Sequence, residues 1–257
     1  MRYQTRRLVA LPFGLLTLFP LFLSRGLAAQ EMALDVGHSL AAPGAISARG
    51  RAEFEFNRDL AREIRERLDY QGVKLRVIGE EGSADRLQDR VRRGAGAVFY
   101  LSIHHDSTQA SNLLTWTHES VERPYAPERF AGFSLFVSRK HPQTTRSLAC
   151  ASMIGERMLA AGFTRSLYHA EGVAGESKPF ADRANGVHFH DNLAVLRGAA
   201  MPAVLFEAGV ILNRDEELQL SDPSRRTRMA QAVADGVVRC LESLSSEGRG
   251  KVRRVPK

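Results

Sequence analysis

Only two of the 257 residues are cysteine and one is tryptophan. Two cysteines cannot build a multi-thiolate zinc module or the dense disulfide frame of a small secreted scaffold. Cys150 and Cys240 lie far apart in segments that read as helices, so one disulfide and two buried thiols both remain open. Long apolar runs are missing except near the N-terminus. There, Leu8 to Leu23 is interrupted by Pro12, Thr17 and Pro20, and such a stretch falls short of the roughly 20 apolar residues that a spanning helix needs. No linker rich in proline, glycine or serine divides the chain, and no repeat recurs. Tandem modules and solenoids are therefore not expected, and one domain is.

A strong charge of one sign is absent as well. The formal net charge is +7, but four arginines, at positions 2, 6, 7 and 25, fall in the first 29 residues, which hold no acid. The basic MRYQTRR start, the short apolar stretch and the small residues Gly26, Ala28 and Ala29 make residues 1–29 an expected export signal, of the Sec or the twin-arginine type. Cleavage would leave a chain near +3 in the periplasm or cell envelope, without stable membrane insertion. So mild an excess, with no basic stripe interleaved with aromatics, excludes nucleic acid as a partner. Residues 246–257 read as a basic, solvated, frayed tail.

Between these ends, apolar strand-like runs alternate with helical patterns over residues 30–245. The pattern predicts a single α/β domain, with a twisted, mostly parallel or mixed sheet of about six strands and helices on both faces. Strands are expected over residues 32–36, 73–78, 97–103, 133–138, 192–196 and 203–206, and helices over 53–70, 84–93, 144–161 and 226–244. The first helix is the clearest, with apolar residues at 54, 56, 60, 61, 64 and 68 and a stop at Gln71-Gly72. Two stretches, 107–131 and 164–191, read as long loops.

Three predicted strands end in reactive side chains: His38 after LDVG, His104 after YLSI and Glu207 after AVLF. One such histidine is usually structural, but ligands gather at the carboxyl ends of strands in open α/β sheets, and three together point to a site. Glu53 joins them from the start of the first helix. Two imidazoles and one carboxylate make a common catalytic zinc set that keeps a position open for water. A carboxylate free of the metal could then move a proton to a leaving nitrogen, and Glu207 suits that role. Alternation along the strand cannot send both His104 and His105 into one site. His188, His190 and Asp191 form a second polar cluster, read as loop residues lining the cleft rather than as a second metal site.

In order, LDVGHSLAAPGA, Glu53 with Asn57, Leu87-Gln88-Asp89-Arg90, FYLSIHHDS and PAVLFEAGVILNRDE resemble the zinc-dependent N-acetylmuramoyl-L-alanine amidases of the third amidase family, from about Leu34 to Leu244. The resemblance implies one Zn2+ on His38, Glu53 and His104, with Glu207 as the catalytic glutamate. The implied substrate is peptidoglycan, cut at the amide between the lactyl group of N-acetylmuramic acid and L-alanine of the stem peptide. Asp35, Arg90, His105 and Asn213 are the candidates for contacting substrate or bracing the ligands. Three departures stand out: Ser39, His105-Asp106 and Ala208-Gly209-Val210. Some members of the family carry an inserted helix that blocks the zinc until a protein activator removes it; neither long loop here shows that pattern, so an open or weakly gated site is expected, in a chain acting as a monomer. The rival readings are a zinc peptidase acting on wall peptides and a wall-binding relative without chemistry.

Overall fold

The computed structural model describes residues 31–83, 86–173 and 177–252, with the backbone alone from residue 248. The expected export signal and the last five residues of the tail lie outside the described residues. Strand β1 (Glu31–Val36) leads into helix α1 (Glu53–Tyr70), then β2 (Lys74–Ile78), α2 (Leu87–Arg93) and β3 (Tyr100–Asp106). A hairpin of β4 (Leu114–His118) and β5 (Val121–Tyr125) follows, then β6 (Ser134–Val137), α3 (Thr144–Ala160), β7 (Phe180–Asp182) and β8 (Val187–Phe189). Helix α4 (Ala194–Gly198), strand β9 (Ala203–Val210), α5 (Arg214–Ser221) and α6 (Pro223–Val252) complete the chain.

Seven strands form one mixed sheet in the order β2-β1-β3-β9-β6-β8-β7. The four from β2 to β9 are parallel, and β6 runs antiparallel to β9. The carboxyl ends of β1, β3 and β9 therefore meet along one edge of the sheet. Strand alternation sorts their side chains. Leu34, Val36, Leu101, Ile103 and Phe206 share a buried cluster with α1, α3 and α6. Ala33, Tyr100 and Leu205 pack on the opposite face with Val195 and Leu196 of α4. Asp35, His104 and Glu207 fall at that second face by the same alternation, and it is here that the cleft opens.

All six apolar positions read for α1 are buried, as a helix with one stripe on the sheet requires. Elsewhere the local reading needs correction. Residues 192–196, expected as a strand, contain the start of α4; a short apolar run bears no period that separates the two states. The stretch 107–131 holds the β4–β5 hairpin, and 164–191 holds β7, β8 and a 3-10 turn at Tyr168–Ala170. The closing helix is also longer than expected, carrying its backbone from Pro223 to Val252 into the expected tail. Cys150 and Cys240 are joined in a disulfide that ties α3 to α6, with Cα atoms 4.8 Å apart. Among the described residues no helix is long and apolar enough to cross a membrane.

Candidate metal centre and catalytic cleft

His38 lies two residues beyond β1 and takes a left-handed backbone, φ 68°. That conformation is costly for a residue with a Cβ and persists where the surroundings enforce it. It brings Nε2 to 3.0 Å from Oε2 of Glu53. The other Glu53 oxygen, Oε1, is 3.0 Å from Nδ1 of His104. The ligand atoms of the three residues lie within 4.8 Å of one another, and among the described residues no fourth histidine, cysteine or acid joins the group. Two features fit the set to a cation. The donors are two imidazole nitrogens and one carboxylate, a zinc-type combination. The glycines beside it also leave space that a side chain would take: a Cβ at Gly37 would sit 2.3 Å from the His104 ring, and one at Gly44 would sit 2.4 Å from Glu53 Oε2.

Burial alone would push the Glu53 carboxyl up, but the hydrogen bonds and charge of His104 and His38 hold it well below the usual range. His38 is shifted the opposite way; burial disfavours its charge, and the Glu53 contact more than compensates. Its side chain is 31 % exposed and that of His104 18 %, so both imidazoles reach solvent.

Beneath the ligands, His105 points to the α1 face, as alternation requires. It is buried, and its Nδ1 is 2.8 Å from Oδ1 of Asn57. The Asn57 amide in turn donates to Glu53 Oε1 and to the Gly37 carbonyl, both at 3.2 Å. His105 thus orients the asparagine that steadies Glu53 and the turn leading to His38. Asp35 and Arg90 brace the same turn from the other face: Arg90 Nη1 donates to Asp35 Oδ1 at 2.9 Å and Arg90 Nη2 to the His38 carbonyl. The Ser102 hydroxyl donates to the second Asp35 oxygen at 2.6 Å. Ser39 closes the loop, its hydroxyl accepting from the Ala42 amide at 3.1 Å.

Glu207 stands on β9 directly opposite His104 in the β3–β9 register. Its Oε2 is buried and makes no hydrogen bond among the described residues. Burial, with the negative charges of Asp106 and Glu53, pushes its carboxyl well above the ordinary value, and the Lys178 ammonium opposes that shift. Asp106 follows on the same face of β3 and accepts from the Tyr168 hydroxyl and the Ser107 amide; His169 Nε2 lies 2.7 Å from it. Burial would raise the Asp106 carboxyl, but His169 and Tyr168 outweigh burial and lower it.

A cleft of about 740 Å3 is lined by Asp35, His38, Glu53, Arg90, His104, His105 and Glu207 together. Asn213 is not on its wall; it caps α5, accepting from the Asp215 and Glu216 amides, and holds the Phe130 carbonyl at 3.0 Å. His188, expected on a loop at the cleft, is instead a fully buried residue of β8, and burial pushes its imidazole down to about 4. Tyr168 and His169 escaped the sequence reading, since nothing local ties them to Asp106, more than sixty positions earlier.

The sequence profile of the N-acetylmuramoyl-L-alanine amidases matches residues 32–239. The chain is 26 % identical over 218 residues to N-acetylmuramoyl-L-alanine amidase AmiC of Neisseria meningitidis, covering 82 % of this chain and 52 % of that protein. It thus spans about half the length of that relative. The crystal structure of the amidase Ami1 from Mycobacterium smegmatis superposes with a TM-score of 0.67 at 20 % identity, covering 85 % of this chain and 99 % of Ami1. The catalytic domain of CwlV, an amidase of Bacillus (Paenibacillus) polymyxa, gives 0.62 at 25 % identity over 83 % and 98 %. With more than half its length matched by the profile, and the same fold in those solved structures, this chain belongs to the N-acetylmuramoyl-L-alanine amidase family.

Proposed function

We propose that the protein is a zinc-dependent peptidoglycan hydrolase, exported to the periplasm or cell envelope by residues 1–29, that cleaves the amide between N-acetylmuramic acid and L-alanine of the stem peptide. The observation that carries this reading is the pairing of the His38, Glu53 and His104 set with Glu207, directly opposite His104 on the neighbouring strand. His38, Glu53 and His104 would hold one Zn2+, which when bound supplies Lewis acidity and brings the pKa of water to about 7. Glu207 would take a proton from the attacking water as its oxygen bonds to the lactyl carbonyl carbon. It would then give that proton to the alanine nitrogen as the carbon–nitrogen bond breaks. A carboxyl raised by burial is suited to such two-way exchange near neutral pH. His105 and Asn57 would keep Glu53 aimed, and Asp35 and Arg90 would fix the His38 turn.

Metal analysis of the purified protein, combined with mass spectrometry of digested sacculi, tests the proposal. One equivalent of zinc and release of intact stem peptides with a free L-alanine amine are expected. Shortened stem peptides would indicate a peptidase, and sacculus binding without any product would indicate a relative that has lost its chemistry; either result would overturn the reading.

A further inference from the structure

Glu53 is held from two sides. Its Oε1 accepts from the Asn57 amide, whereas Oε2, the oxygen 3.0 Å from His38 Nε2, accepts from the Ala45 backbone amide at 3.1 Å. The Glu53 amide donates back to the Ala45 carbonyl at 2.8 Å. Residues 45–53 thus form a small turn, closed by the Ile46–Ala52 bridge and by bonds from the Gly50 and Arg51 amides to Ser47. So short a pair of extended segments is marginal alone in water, and Ile46, 45 % exposed, adds little packing. Its position must be fixed from outside.

The fixing contacts fall at its tip. The Ala48 amide donates to the Ile211 carbonyl at 3.0 Å, and the Arg49 amide and guanidinium donate to buried Glu217 of α5 at 3.1 and 2.7 Å. The third anchor is the β4–β5 hairpin, a two-stranded sheet apart from the main one. Trp116 Nε1 donates to the Ala48 carbonyl at 3.3 Å, and Arg123 packs so closely on Gly50 that a Cβ there would sit 2.5 Å from its guanidinium. Trp116 is itself gripped: the Arg49 and Arg214 guanidiniums lie 5.3 and 5.0 Å from its ring centre, and the His118 ring stacks on it at 5.0 Å. Cation–π attraction and stacking hold the indole in place.

We infer that the β4–β5 hairpin is a clamp on the Glu53 turn, and that Trp116, which is not on the cleft wall, is a positioning residue that sets how tightly the cleft holds its metal. The inference rests on the zinc reading above. A carboxylate already aimed binds a cation without the ordering cost that a loose one carries.

The test measures zinc affinity by competition with a chromophoric chelator in the unaltered protein, Trp116→Ala, Trp116→Phe and Thr117→Ala. Thr117 is exposed, on the opposite face of the same strand. Trp116→Ala is expected to bind zinc about five- to tenfold more weakly, within the usual range for coupling between sites. Trp116→Phe, which keeps a ring beside the arginines and removes the N–H, should lie between, and it serves alone if Trp116→Ala does not fold. A residue that merely stabilises the fold would lower the urea midpoint, as loss of the Cys150–Cys240 disulfide should, without moving zinc affinity. Affinity unchanged in both Trp116 variants, or lowered equally in Thr117→Ala, would overturn the clamp and leave the amidase reading intact. Should the unaltered protein bind no zinc, the metal reading falls, and amide hydrogen exchange of the metal-free proteins decides the clamp. Protection over residues 45–53 should then drop about tenfold in Trp116→Ala relative to Thr117→Ala; equal protection would overturn it.

Discussion

His104 and Glu207 are Cα partners in the parallel β3–β9 ladder, and the register breaks immediately after them, so that Asp106 aligns with Val210. The regular part of the ladder thus ends at the pair that would do the chemistry. Side chains at a shared register position on one face lie side by side. A bulge next to such a pair commonly re-aims the next side chains along the strand, and here it leaves Asp106 to meet Tyr168 and His169 rather than the ligand set.

Replacing Glu207 with glutamine keeps its shape and removes its charge. Because one of its oxygens is buried without a partner among the described residues, the substitution relieves a burial cost, and thermal stability should hold or rise. Zinc content should stay at one equivalent while kcat drops by about 10² to 10⁴-fold, the range for a lost general acid–base. Dye release from labelled sacculi measures the rate; retained hydrolysis would remove Glu207 from the mechanism.

Gly37→Ala tests the proposed metal set without replacing any of its three residues. The new Cβ would overlap the His104 ring at 2.3 to 2.6 Å. Backbone retreat is resisted by the Gly37 amide bond to the Ile103 carbonyl at 3.0 Å. The ring must therefore turn out of place, and zinc affinity should fall about 10- to 100-fold, comparable to losing a group that orients a ligand. Competition with a chromophoric chelator reads this directly, with circular dichroism to show an unchanged fold. Wild-type affinity would mean that the turn yields more easily than its hydrogen bond implies.

The His38, Glu53 and His104 cluster was legible as a candidate because each member sits where a regular sequence pattern stops: His38 and His104 after apolar strand-like runs, Glu53 at a helix start. The partners of Asp106 were not, because Tyr168 and His169 approach it only through the tertiary fold. The β4–β5 hairpin hid for a local reason. Its turn residues, Glu119 and Ser120, have φ of 49° and 63°, the geometry of a tight hairpin turn, without the Asn-Gly or Asp-Gly signature that normally marks one. His105, which alternation sends away from the metal set, is now accounted for by the Asn57 contact.

The Cys150–Cys240 disulfide closes a loop with a sequence separation of 90 between two helices that pack together. Constraining an unfolded chain over that span is worth about 4.6 kcal/mol in the chain-entropy view. The Cys150→Ser, Cys240→Ser double variant should therefore unfold at markedly lower urea concentration, whereas the untreated protein should show no free thiol under denaturing conditions. Adding a thiol reductant to the wild type should reproduce the shift. An unchanged midpoint would show that α3 and α6 are held by packing alone.

Stability should also carry the mark of His105. Burial pushes its imidazole down to about 3, against about 6.5 for an unfolded chain. Between these values the unfolded chain binds the extra proton, so the His105 contribution is complete above about pH 6.5 and is lost as the pH falls toward 3. The maximum slope is about 1.4 kcal/mol per pH unit. In His105→Asn the ionisable ring is gone, so the variant should be the less stable at pH 7 but lose stability more slowly on acidification. Urea unfolding of the chelator-treated proteins at pH 7, 6 and 5 tests this by difference, which cancels the titration of the other buried histidines. Parallel curves would place a proton-accepting route or water at His105 that the buried contact with Asn57 does not provide.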